Sequence, residues 1–200
     1  MINTKIFTSL TKARLALSVV FSSVAGYFLA VDVVNFSDLI LLVVGGYCIV
    51  GASNSFNQII EKDKDALMDR TKNRPLPANE ITTQNAFWIS VFLTLIGIFC
   101  LYLINYKTAF FAAISVFLYT CVYTPLKPIT PLSVFVGAIP GAIPFMLGWV
   151  AATGSFGIEP GTLFMIQFFW QFPHFWALGW MLDDDYKNCL LYTSPSPRDT

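Results

Sequence analysis

Three polar residues recur at every fourth position near the end of a long apolar run: Asn57, Glu61 and Asp65. On an α-helix this spacing places the side chains on one face, about 6 Å apart along the axis. Asn54, three residues earlier, would extend the same face deeper. Amide and carboxylate oxygens suit hard cations, and Mg²⁺ prefers one or two carboxylates together with water and substrate phosphates. The spacing therefore predicts a column of magnesium ligands.

Basic residues follow this column directly. Arg70, Lys72 and Arg74 come next and precede a Pro75–Pro77 stop. A guanidinium can bind two phosphate oxygens at once, whereas acids alone would repel a diphosphate. Acids followed by bases therefore predict a site for a diphosphate bridged by Mg²⁺. The alternative is a solvated, salt-bridged loop at a membrane edge, but ionisable residues within a membrane are costly and usually functional.

Two further groups leave alternatives open. The single histidine, His174, lies among large aromatic residues and is followed by the acids Asp183–Asp185. The histidine is either a satisfied core residue or a ligand contact. The acids either flank a helix end, where the helix dipole disfavours them, or act as ligands. The segment around Lys127 could close over an anion or form an ordinary turn.

Long apolar segments must position these residues. The chain is 56% hydrophobic and only 12% charged, against about a quarter charged in soluble domains. Its zero net charge gives no field that would attract nucleic acid. A bilayer is crossed by about 20 apolar residues in a helix. By that criterion the sequence predicts an all-α bundle of about six spans: Leu15–Val34, Leu39–Ile60, Phe87–Ile104, Ala109–Tyr123, Leu132–Ala152 and Thr162–Leu182.

Positive charges predict the orientation of these spans. With the N-terminus inside, almost every lysine and arginine outside the spans falls on the inner side, and only Lys107 falls outside. The two acidic clusters, Glu61–Asp69 and Asp183–Asp185, then face the same side of the membrane. The short N-terminus has no Arg- and Ser-rich transit segment, which favours a bacterial plasma membrane with the site loops in the cytoplasm.

These motifs resemble the UbiA superfamily of intramembrane aromatic prenyltransferases. Its first motif is an asparagine followed by acids four and eight residues later, which Asn57, Glu61 and Asp65 match, with Gln58 and Glu61 in place of commoner aspartates. Further sequence blocks resemble those of the family members that farnesylate haem. They lie at Met68–Pro77, Tyr123–Lys127, Gly141–Trp149 and Trp170–Tyr186.

The resemblance implies an activity in the lipid bilayer: transfer of the farnesyl group of farnesyl diphosphate to the 2-vinyl group of haem B, giving haem O and diphosphate with uptake of water. It implies haem A synthase or terminal oxidases as assembly partners. It also implies roles for individual residues. Mg²⁺ would be held by the catalytic group Asn57, Glu61, Asp65 and Asp185, with Asp184. Phosphate oxygens would be bound by Arg70, Lys72, Arg74 and Lys127, and haem would be contacted by His174.

The chain also departs from the pattern. The family implies about nine spans, Pro128 stands where a second base is common, and the resemblance fades near Asn188. We therefore expect a partial UbiA-like domain at residues 1–187 and a disordered or foreign tail at residues 188–200.

Three rival functions fit the polar groups less well. A relative that prenylates a quinone precursor such as 4-hydroxybenzoate would lack the Met68–Pro77 and Trp170–His174 blocks. A non-catalytic haem-binding membrane protein would not need two acidic clusters on one side. A transporter would more often show broken helices in repeated halves.

Overall fold

The computed structural model describes residues 3–181, and all regular structure in that range is helical, which confirms the predicted all-α class. A π-helical segment, Leu118–Tyr123, joins α6 to α7. The α-helices are α1 Thr4–Leu10, α2 Ala13–Phe28, α3 Phe36–Ile60, α4 Lys62–Asp65, α5 Thr83–Ile104, α6 Tyr106–Phe117, α7 Thr124–Leu126, α8 Leu132–Thr153 and α9 Ile158–Met181.

Four segments in the described range are long and apolar enough to cross a bilayer: Phe36–Ile60, Thr83–Ile104, Tyr106–Leu126 and Leu132–Thr153. The other two predicted spans are also helices but fall short of those criteria. Helix α2 has only 16 residues. Helix α9 has 24 residues, but its tryptophans and polar side chains lower the mean hydropathy.

The predicted first span, Leu15–Val34, is too long at its end, because α2 stops at Phe28. The chain turns there, and the Tyr27 hydroxyl bonds to both backbone groups of Asn35, at 3.3 Å each. The Asn35 side chain then accepts from the backbone amides of Ser37 and Asp38, which makes it the N-cap of α3. A polar cap inside an apolar stretch therefore separates the two helices.

Glycines bring α2 and α8 into backbone contact. A Cβ added to Gly148 would lie 1.8 Å from the carbonyl oxygen of Ser23, and one added to Gly26 would lie 2.1 Å from that of Phe145. Small residues at such crossings let membrane helices approach closely. Around this crossing, buried apolar side chains from α2, α3, α5, α6 and α8 form the main core.

Two local features bring polar residues to one end of the bundle. Helix α3 ends at Ile60, because Glu61 leaves helical geometry (φ −94°, ψ 7°) before α4 begins. Beyond α4 the chain folds back under α1, where fully buried Leu76 packs with Leu10, Ile81 and Ala86. This second core fixes the loop that carries Arg74.

The π-helical segment places the next helical turn, α7, at this same end of the bundle. The Thr124 amide donates to the Tyr119 carbonyl, five residues back. Pro125, which follows, has no N–H and disfavours regular α-helical bonding to the preceding turn. Such π-helical turns occur often at functional sites.

Candidate active site

The end of α3 carries the first part of the site. The Asn57 side-chain amide donates to Glu61 Oε2 at 2.5 Å. Lys127 Nζ lies 3.1 Å from Glu61 Oε1 and 3.2 Å from Asn57 Oδ1. Asn57 is 1% exposed, and Thr124 Oγ1 lies 3.5 Å from its Oδ1. The structure thus brings together two predicted magnesium ligands and a predicted phosphate ligand that lies 66 residues beyond Glu61 in sequence.

Lys127 is held in this position by an aromatic ring. Its Nζ lies 4.7 Å from the centroid of the Tyr123 ring, a cation–π contact. The ring packs directly on α8, where a Cβ at Gly137 would lie 2.5 Å from it. The π-helical segment and Gly137 together determine the position along α3 at which Lys127 makes its contacts.

Asp65 and Arg74 form the second part. Arg74 Nη1 donates to Asp65 Oδ2 at 2.7 Å, and the two side chains are 18% and 3% exposed. The Thr71 hydroxyl donates to the Asp65 carbonyl at 2.8 Å, which ties the loop to the end of α4. A predicted magnesium ligand is therefore paired with a predicted phosphate ligand.

Lys12 is a third cation at this site, and its position in the sequence does not predict this placement. It lies in the turn between α1 and α2. Burial is the main cause that lowers the pKa of Lys12 to about 8, and the neighbouring charges of Arg74 and Lys127 lower it further, whereas Glu61 and Asp65 raise it. All four of those residues therefore lie close enough to act on it. We call Lys12, Glu61, Asp65, Arg74 and Lys127 the charge cluster.

Other predicted site residues lie elsewhere. Lys72 pairs with Asp69 at 2.5 Å on an exposed surface, and this hydrogen bond lowers the pKa of Asp69. Arg70 is also exposed. Asn54 does not extend the ligand column as predicted, because its amide donates to the Thr11 carbonyl at 3.0 Å. The predicted continuous helical column is wrong too, since the helix is interrupted at Glu61.

His174 lies on α9, exposed and stacked on Trp170 with ring centroids 5.1 Å apart and planes 15° apart. Gln171, one turn away, anchors α9 to α8 by donating to the Gly141 carbonyl at 3.3 Å. The predicted ligands Asp184 and Asp185 lie outside the described residues.

The chemistry of the cluster suits a metal-bridged anion. Within residues 3–181 no three His, Cys, Asp or Glu side chains come together as a metal site. Two carboxylates and the Asn57 amide are still enough protein ligands for Mg²⁺, which takes its other ligands from water and phosphate. The three cations exceed the two anions, so the cluster has spare positive charge for a phosphate group. The donor set therefore fits the ion that the sequence predicts.

The fold and the site together define a class of protein. Its members are polytopic helical membrane proteins with paired acids and bases at one end of the bundle. The chain belongs to the UbiA prenyltransferase family, whose sequence profile matches residues 19–196. This confirms the resemblance drawn from the motifs.

Two curated relatives are named protoheme IX farnesyltransferase. The Christiangramia forsetii protein is 66% identical over 192 residues, covering 96% of this chain and 64% of the relative. The Flavobacterium psychrophilum protein is 64% identical over 195 residues, covering 96% of this chain and 65% of the relative. The chain thus spans about two thirds of the length of these relatives.

Solved structures show the same fold at low identity. A UbiA homolog from Archaeoglobus fulgidus bound to DMAPP and Mg²⁺ superposes with a TM-score of 0.78 at 16% identity, covering 96% of this chain and 69% of that one. A structure from a study of digeranylgeranylglyceryl phosphate synthase gives 0.80 at 17% identity, covering 94% and 66%. These similarities confirm the UbiA-like bundle.

Proposed function

We propose that the protein transfers the farnesyl group of farnesyl diphosphate to the 2-vinyl group of haem B, releasing diphosphate and giving haem O. The structural observation that supports this most directly is the charge cluster, where carboxylate and amide oxygens are in contact with basic side chains. The donor and acceptor are proposed from the two relatives named protoheme IX farnesyltransferase, at 66% and 64% identity.

Each acid of the cluster is paired with a base: Glu61 with Lys127, and Asp65 with Arg74. When a diphosphate and Mg²⁺ bind, we propose that these pairs exchange partners. Asn57, Glu61 and Asp65 turn to Mg²⁺, while Lys127 and Arg74 turn to phosphate oxygens. The exchange keeps every buried charge paired, which a site of acids or bases alone would not achieve.

In the proposed reaction the bond between farnesyl C1 and the diphosphate oxygen breaks, and both electrons leave with the diphosphate. Bound Mg²⁺ would supply charge neutralisation on that leaving group. Arg74 and Lys127 stabilise the same developing charge, since they lie beside the proposed ligands. The vinyl π electrons of haem then form the new carbon–carbon bond, and water adds as hydroxyl to the resulting cation with loss of a proton.

The remaining predicted roles are proposals of the same kind. Arg70 and Lys72 would meet the diphosphate only through movement of their exposed side chains, so we place them at the entrance. Asp184 and Asp185 would hold metal from the other side. His174 would contact haem iron or a propionate, because its exposed ring on α9 is open to a flat ligand beside Trp170. Haem A synthase or a terminal oxidase would receive the product.

The orientation is also proposed. Lys12, Arg74 and Lys127 come together although they flank different helices, which agrees with the parity of the predicted spans. The positive-inside rule then places the charge cluster on the cytoplasmic side of a bacterial plasma membrane.

The test is an assay of the purified protein with haem B, farnesyl diphosphate and Mg²⁺, with haem O detected by mass. 4-Hydroxybenzoate serves as the competing acceptor. Transfer to 4-hydroxybenzoate but not to haem would overturn the proposal.

A further inference from the structure

Two side-chain amides of α3 hold the end of α1. Gln58 Nε2 donates to the carbonyl oxygens of Ser9 and Leu10, at 3.1 and 2.8 Å. Asn54 Nδ2 donates to the Thr11 carbonyl at 3.0 Å. The last carbonyls of a helix have no partner within it. Three consecutive carbonyls at the end of α1 are thus satisfied by α3, immediately before Lys12.

The position of Gln58 requires a donor rather than an acceptor. The side chain is fully buried, and its Oε1 has no hydrogen-bond partner among the described residues, whereas its Nε2 serves two carbonyls. A carboxylate at this position would face two carbonyl oxygens and be repelled. The amide therefore serves to fasten α1, although Gln58 is next to the ligand Asn57 in sequence.

Lys12 itself has an unusual backbone. Its φ of 49° and ψ of 57° are left-handed, a region that non-glycine residues rarely occupy. Such conformations persist where the surroundings fix them, often at functional sites. Here the surroundings are the held carbonyls on one side and the first turn of α2 on the other. Lys12 thus follows the held carbonyls as the N-cap of α2, near enough to the other four members of the charge cluster for their charges to act on its ammonium.

Lys12 also has no anion to itself in the cluster, since Glu61 and Asp65 are each bonded to another cation. An anionic ligand would supply the missing charge. We propose that Lys12 is a further phosphate-binding residue of this site, and that Gln58 and Asn54 are positioning residues that hold the turn so that its ammonium faces the ligand. The inference rests on the proposed function only in requiring a diphosphate at the cluster, not in the identity of the acceptor.

The test measures the Kd of inorganic pyrophosphate, with Mg²⁺ present, for the protein in lipid nanodiscs. A charge-assisted hydrogen bond contributes about 1.5–3 kcal/mol, so Lys12→Met should weaken binding by about tenfold or more. Lys12→Arg should recover most of the loss. Lys5→Met, an exposed lysine on α1, is the matched control and should bind like wild type.

A double-mutant cycle separates positioning from general stability. Gln58→Met removes the amide that donates to both carbonyls, and it should weaken pyrophosphate binding in the wild-type background. It should have no further effect in the Lys12→Met background, because its role passes through that lysine. If Gln58→Met does not fold, Asn54→Asp, which removes the single donor to Thr11, replaces it in the cycle. Gln84→Met, on the exposed start of α5, is the control.

Each outcome decides the matter. Wild-type binding with loss in Lys12→Met and a non-additive cycle supports the inference. Wild-type binding that Lys12→Met leaves unchanged, or a Gln58→Met effect equal in both backgrounds, overturns it and leaves the proposed function intact. Failure of the wild-type protein to bind pyrophosphate with Mg²⁺ overturns both.

Discussion

Asp65→Asn is the substitution that best separates a metal ligand from a structural ion pair. Asp65 is 2% exposed and accepts from Arg74 at 2.7 Å. If the pair exists only to stabilise the loop, the change should affect stability alone. If Asp65 leaves Arg74 to bind Mg²⁺, the change should also affect the metal.

The two effects have different expected sizes. Removing one partner of a buried ion pair costs about 3–5 kcal/mol. Asparagine keeps an oxygen that can accept from Arg74, whose side chain is 18% exposed, so we expect about 1–3 kcal/mol here. Loss of an outer-shell partner already reduces metal affinity by about 10- to 100-fold, so loss of a direct carboxylate ligand should cost about 100-fold or more.

The assay is a titration of Mg²⁺ at fixed pyrophosphate, combined with unfolding in detergent. Asp63→Asn, an exposed acid on α4, is the control and should change neither quantity. Arg74→Met should lower stability comparably and weaken pyrophosphate binding. An Asp65→Asn protein that is less stable but has a wild-type dependence on Mg²⁺ would refute Asp65 as a metal ligand.

Three further predictions follow from the same geometry. Gly148→Ala would place a Cβ 1.8 Å from a backbone oxygen of α2, so it should lower the free energy of unfolding in micelles by about 3 kcal/mol; Gly161→Ala meets nothing within 4 Å, and an equal loss there would contradict this cause. His174→Ala should alter the absorbance spectrum of bound haem, and an unchanged spectrum would remove the proposed contact. The pKa of Lys12 is lowered to about 8, and a bound anion favours its charged form, so pyrophosphate binding should weaken as pH rises through 8. Lys12→Arg should remove this part of the pH dependence, and a pH profile identical to that of the wild type would contradict the role of Lys12.

Much of the fold could be predicted from apolar run lengths alone. The bounds of the longest helices depend on about 20 consecutive apolar residues, a signal that survives in any bundle. The end of α2 could not be predicted this way, since Val31, Val33 and Val34 continue the apolar run beyond the helix. Only the tertiary contact between Tyr27 and Asn35 shows that the chain turns there.

The placement of a candidate site residue could be predicted where it depends on local helical spacing. It could not be predicted where it depends on contacts between residues far apart in the sequence. Asn57 and Glu61 do lie together, because four residues make one helical turn. Lys72 was grouped with Arg74 by sequence proximity, yet it pairs with Asp69 on the surface. The sequence places Lys12 only among the basic residues that precede the first predicted span. The hydrogen bonds that bring it to the cluster link residues 43–49 positions apart, and no sequence periodicity reveals them.

The proposed reaction joins a farnesyl group to haem at this site. Its most direct test is incubation of the purified protein with haem B, farnesyl diphosphate and Mg²⁺, with and without chelator, followed by mass analysis of the haem product. We expect haem O and released diphosphate in equal amounts, and we expect both products to be lost with the chelator and in Glu61→Gln. Haem B that stays unmodified while the farnesyl group is transferred to 4-hydroxybenzoate would contradict it.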